Sequence, residues 1–154
     1  MTAITFNQLL KNAQHEVDEL FPWDVEEMLE SKEDFMILDI REPYEYRNMW
    51  IKGSLNVARG VLESACEWGY DETIPELVRA RDKKILLVCR SGNRSLLAAQ
   101  TMKQMGFEHT HSLKTGLKGW NEYDLPLFND DGEVDLEAAE AYHIPRVNDD
   151  QLGP

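Results

Sequence analysis

The chain is poor in cysteine, in basic charge and in long apolar runs. It has two cysteines, Cys66 and Cys89, in 154 residues. So few in an intracellular-looking chain exclude a disulfide framework and leave free thiols, whose use is chemistry or burial. Lysine and arginine total 16 against 29 aspartates and glutamates, a net charge of −13. That imbalance argues against a nucleic-acid partner, whose phosphates call for a basic field. No apolar run approaches the roughly 18 residues of a membrane span. The opening "MTAITFNQLLKNAQ" lacks the charged-then-apolar layout of a signal peptide. The expectation is a cytoplasmic protein with no membrane partner. Hydrophobic residues at 42% and charged residues at 29% exclude a disordered chain, and the length suits one domain with a substantial core.

Helical and strand-like patterns alternate along the chain. Residues 4–14 carry Phe6, Leu9, Leu10 and Ala13 at helical spacing, and Trp23–Ser31 carries Val25, Met28 and Leu29. "FMILDI" (35–40) and "KILLV" (84–88) read as buried strands, and "SLNVA" (54–58) as a weaker one. Residues 60–80 are mixed, with a helix expected around "IPELVRAR". After Cys89 a helix carries Ala98, Met102 and Met105 and stops at Gly106; "FEHTHSL" (107–113) then reads as a strand. Strand, helix and strand in succession predict a right-handed βαβ crossover. Apolar runs without alternation predict strands covered on both faces. The fold class is therefore α/β with a mainly parallel sheet. Residues 1–129 read as the domain. Residues 130–154, with eight acidic residues and one basic, read as an acidic segment with a helix at "VDLEAAEAY" and otherwise a tail.

The most informative stretch is "ILLVCRSGNRSLLAAQTM" (85–102). Cys89 ends a strand, and a helix begins near Arg94 or Ser95. Ligands of parallel sheets bind beyond the carboxyl ends of strands, so Cys89 stands where active sites form. The loop can wrap into a cup of backbone N–H groups, completed by the free N–H groups and partial positive charge of the helix start. Gly92 supplies backbone freedom. Such a cup is expected to favour the nucleophilic thiolate and to hold an anion. Arg90 and Arg94 add positive charge suited to oxyanions. Covalent transfer through Cys89 follows, with either phosphorus or sulfur as the transferred centre. Cysteine phosphatases and arsenate reductases use a Cys-x5-Arg loop around a tetrahedral oxyanion. Here four residues separate Cys89 from Arg94. The smaller cup suits a single outer sulfur atom.

"CRSGNRS" resembles the active-site loop of single-domain rhodaneses, the thiosulfate sulfurtransferase family. "ILDIREPYEY" (37–46), "WIKGSLNV" (50–57) and "LKTGLKGWNEYDLPL" (113–127) resemble the family's other signatures, in order. The matching core runs over about residues 33–127. Trp50 stands where the family commonly has His, and Thr115 where the first of two glycines is usual. The resemblance implies a central, mainly parallel five-stranded sheet with helices on both faces. It implies a Cys89 persulfide formed from thiosulfate or a similar small anionic donor, and passed to cyanide, a thiol or a protein acceptor. It implies no metal and no organic cofactor. The substrate-binding residues would be Arg90, Ser91, Gly92, Asn93, Arg94 and Ser95, with Arg90 on the sulfonate and Arg94 bracing the loop through a carboxylate. Asp39, Arg41, Glu42 and Trp50 are candidates for bracing or for the pocket.

Plainer roles compete for several of these residues. Asp39 and Arg41 make an ordinary structural ion pair on the simplest reading, and Trp120 a core residue. Cys66 lacks any loop signature and reads as packed. His109 and His111 lack the further ligands of a zinc site. A non-catalytic rhodanese-like module, or a sulfur carrier serving one protein partner, is the alternative to the enzyme.

Overall fold

The computed structural model describes residues 2–154. At its centre are β1 (Asp18–Leu20), β2 (Met36–Asp39), β3 (Leu55–Asn56), β4 (Ile85–Val88) and β5 (Thr110–Leu113), in the order β1-β5-β4-β2-β3. Every neighbouring pair in this sheet is parallel. The expected α/β architecture is what the chain adopts. Around the sheet lie α1 (Phe6–Gln14), α2 (Pro22–Glu30), α3 (Pro43–Asn48), α4 (Leu62–Ala65), α5 (Pro75–Val78), α6 (Asn93–Gln104), α7 (Gly116–Glu122) and α8 (Leu136–His143). Two residues form each strand of a small antiparallel hairpin, β6 (Phe128–Asn129) and β7 (Gly132–Glu133). No helix among the described residues is long and apolar enough to cross a membrane.

The continuous apolar runs of β2 and β4 follow from burial on both faces. Successive side chains alternate between two cores. Leu38, Ile40, Ile85, Leu87 and Cys89 join Leu96, Ala99 and Met102 of α6 in one core, beside Ala13 of α1 and Leu62 of α4. Ile37, Leu86 and Val88 join Val25 of α2, Leu117 and Trp120 of α7 and Ala139 of α8 in the other. Cys89 thus continues the α6-facing row of β4 and ends beneath the start of α6.

One element is not expected from the sequence, and two regions take the expected form with added detail. Residues 18–20 form β1, an edge strand in register with 111–113 of β5. Its "DEL" sequence carries no strand pattern; the exposed edge of β5 holds it in place. The helix expected around "IPELVRAR" is the one-turn α5, and the mixed stretch before it holds a second one-turn helix, α4. The helix expected at "VDLEAAEAY" is α8, and the acidic segment is anchored through it. Asp135 caps α8 by accepting the Ala138 N–H at 3.1 Å, and α8 packs on α7 with Ala139 and His143 buried. Only the stretch after His143 is exposed along its length.

Candidate active site

Cys89 is 1% exposed and lies where the β4 chain turns into α6. Its Sγ accepts the N–H of Gly92 at 3.1 Å and that of Ser95 at 3.3 Å. Gly92 is the N-cap of α6, with φ 93°. Its left-handed conformation turns the loop back over the sulfur, and a Cβ there would meet the Leu113 carbonyl at 3.0 Å. The α6 N-terminus adds partial positive charge at the same point. Ser95 Oγ lies 3.4 Å from Sγ and 2.8 Å from Ser112 Oγ, and both serines are fully buried. With Cys89 ionised, the Ser95 hydroxyl can donate to sulfur while accepting from Ser112. Ser91 and Asn93 are exposed.

The loop is held from two sides. From α7, the N–H groups of Leu117 and Lys118 donate to the carbonyls of Cys89 (2.9 Å) and Arg90 (3.0 Å). Gly116 permits this approach, since a Cβ on it would fall 2.4 Å from the Arg90 carbonyl oxygen and 2.5 Å from that of Cys89. From α3, Glu45 takes both terminal nitrogens of Arg94, one on each carboxylate oxygen, at 2.9 Å. Such fork-to-fork pairing fixes orientation as well as distance. Burial works to raise the Glu45 pKa. The Arg94 and Glu42 hydrogen bonds and the Arg94 and Arg41 charges outweigh burial and hold it below its ordinary value. The same bonds raise the Arg94 pKa.

The carboxylate that braces Arg94 is therefore Glu45, not Glu42 or Asp39. Glu42 is exposed and acts through its backbone N–H, which donates to Glu45 Oε2 at 2.9 Å. Asp39 and Arg41 form a fully buried pair, with Arg41 Nη2 2.8 Å from Asp39 Oδ2. Arg41 also donates to the carbonyls of Glu45 (3.3 Å) and Met49 (2.7 Å). The pair anchors α3, and α3 presents Glu45; the bracing is indirect. Trp50 stacks on Tyr46 at 5.3 Å and bridges Phe128 through its backbone. It does not line the cleft beside the cysteine loop. That cleft, about 460 Å³, is lined by Tyr44, Glu45, Arg90, Tyr142, Ile144 and Arg146.

Sequence reasoning missed Glu45, Ser112 and the C-terminal lining residues. Ser112 left none, since it shares its face of β5 with Thr110 in a strand of mixed polarity. Glu45 lies inside the signature "ILDIREPYEY", but nothing local marks its role, because its partner is 49 residues away.

The family model of the rhodanese-like domain matches residues 22–123. The chain belongs to the rhodanese-like domain family. This rhodanese-like chain is 29% identical over 97 residues to the uncharacterized protein YibN of Escherichia coli, a match covering 63% of each, so it spans under two thirds of that relative's length. It is 26% identical over 116 residues to a sulfurtransferase of Allochromatium vinosum, covering 75% of this chain and 99% of that one. Among solved structures, a Rhodopseudomonas palustris protein of unknown function, RPA3614, described as a possible tyrosine phosphatase, superposes with a TM-score of 0.74 at 29% identity. That superposition covers 82% of this chain and 96% of the other. The family model's match, residues 22–123, ends before α8.

Proposed function

We propose that this rhodanese-like domain is a sulfurtransferase that carries a sulfane sulfur as a persulfide on Cys89. The observation that carries the reading is the convergence of the Gly92 and Ser95 N–H groups on one buried sulfur. N–H groups at that position stabilise a thiolate and the terminal sulfur of a persulfide without side-chain movement. In the first step the Cys89 thiolate attacks the outer sulfur of thiosulfate. The donor's S–S bond breaks and sulfite leaves with its electron pair, past Arg90. In the second step a thiolate or cyanide attacks the outer sulfur of the persulfide, and Cys89 leaves as thiolate. The full-length match to a sulfurtransferase supports the reaction class. The four-residue spacing between Cys89 and Arg94 supports sulfur over phosphate.

The test is turnover of thiosulfate and cyanide to thiocyanate, beside hydrolysis of an aryl phosphate. Thiocyanate formation with phosphatase activity at background is expected. Phosphate release without thiocyanate would replace this function with that of a cysteine phosphatase.

A further inference from the structure

We propose that the segment after α8 forms the specificity wall of the active-site cleft, and that Arg146 binds a carboxylate on the sulfur acceptor, a small organic thiol. This rests on the sulfur-transfer reading above. The first observation is size. At about 460 Å³ the cleft falls within the roughly 300–1,000 Å³ of sites for organic ligands, far more room than an inorganic donor needs.

The second observation is charge. Arg90 and Arg146 both line the cleft, and neither guanidinium has a carboxylate or hydrogen-bond partner among the described residues. That is notable in a chain with 29 acidic side chains. The cleft's one carboxylate, Glu45, has both oxygens committed to Arg94. Two guanidinium groups are thus left to face the ligand. Arg90, next to Cys89, is placed for charge at the sulfur end. Arg146, on the C-terminal wall, is placed for charge away from it. Between them Ile144 (53% exposed) and Tyr44 (62% exposed) offer apolar surface for a carbon skeleton.

The third observation is that this wall is docked onto the elements that hold the catalytic loop. Tyr142 Oη accepts from Asn48 Nδ2 of α3 at 3.3 Å, and Asn121 Nδ2 of α7 donates to the Leu136 carbonyl at 3.3 Å. His143 is 1% exposed and its Nδ1 lies 2.7 Å from the Ala139 carbonyl, which fixes the end of α8 beneath Ile144. The acceptor thiolate, RS⁻, attacks the outer sulfur of the Cys89 persulfide. A new S–S bond forms, the bond to Cys89 Sγ breaks, and Cys89 departs as thiolate; the product is the persulfide RSSH. No oxidant or reductant is required.

Binding of unreactive thioether probes tests this without sulfur transfer. The probes are 4-(methylthio)butanoate and its neutral amide, titrated against the full chain by NMR. The wild type should bind the carboxylate at least about fivefold more tightly than the amide. Arg146→Ala should reduce that preference to less than about twofold, and Arg146→Lys should restore part of it. Equal binding of both probes by the wild type, or a preference unchanged in Arg146→Ala, overturns the proposal. Arg146 is exposed and its side chain makes no hydrogen bond among the described residues, so both variants should keep the wild-type fold, checked by their NMR spectra. Absence of a Cys89 persulfide with thiosulfate would overturn the sulfur-transfer reading instead, a result separate from the probes' discrimination.

Discussion

The two cysteines are both free and both buried, yet their surroundings differ in kind. Cys89 ends a strand, takes two backbone N–H groups on its sulfur and sits at a helix start. Cys66 ends the one-turn α4 inside the larger apolar core, with no N–H among the described residues directed at its sulfur. Burial pushes the Cys66 thiol up to about 11, against a weaker pull from Arg81. Low exposure therefore says nothing about reactivity. Oriented donors separate a sulfur that can carry charge from one that fills space.

Substitution of each cysteine gives the widest contrast. Cys89→Ser should abolish thiocyanate formation, and Cys66→Ser should leave it within about twofold. Iodoacetamide mass mapping extends the contrast: Cys66 should stay unlabelled near neutral pH and react only as pH approaches 11 or on unfolding. Next comes the support from α7. Gly116→Ala drives a methyl group into the carbonyls of Cys89 and Arg90 at a φ of 61°. Urea denaturation should show a loss of about 3 kcal/mol, and activity should collapse with it.

The α3 support carries a smaller effect. Glu45→Gln should slow persulfide formation roughly tenfold by loosening Arg94. Its stability cost should be about 1 kcal/mol, held down because Arg94 is 39% exposed and solvent screens the pair. The folded Glu45 pKa lies below its ordinary 4.5. Its contribution is therefore present above 4.5 and is lost as pH falls through the depressed folded value. Denaturation midpoints from neutral pH to pH 3 should show this acid-side loss in the wild type and a flatter profile in Glu45→Gln. The smallest effect is at Thr115, which adopts φ 70° with no side-chain cap hydrogen bond to α7. Thr115→Gly should raise stability by about 0.5–1 kcal/mol, the left-handed strain less the added chain entropy.

Legibility in the sequence followed the range of the interactions. Strands β2 and β4, helix α6 and the Cys89 cup are written in contiguous residues, and Gly92 declared the turn. The edge strand β1 is three residues long, and its pairing with β5 spans 93 residues of chain (111 less 18), so nothing local marks it. Glu42 and Glu45 are indistinguishable as letters beside Arg41. Only the start of α3 at Pro43 decides which one turns towards Arg94. Helix α8 is legible at "VDLEAAEAY", but the roles of Ala139, His143 and Arg146 lie in what they touch or face, which no local pattern marks.

The most direct measurement is the intact mass of the protein after incubation with thiosulfate and removal of excess donor. One added sulfur atom on the wild type and on Cys66→Ser, released by cyanide, with none on Cys89→Ser, is the predicted result. An unmodified wild type, or a sulfur atom retained by Cys89→Ser, would contradict a persulfide on Cys89.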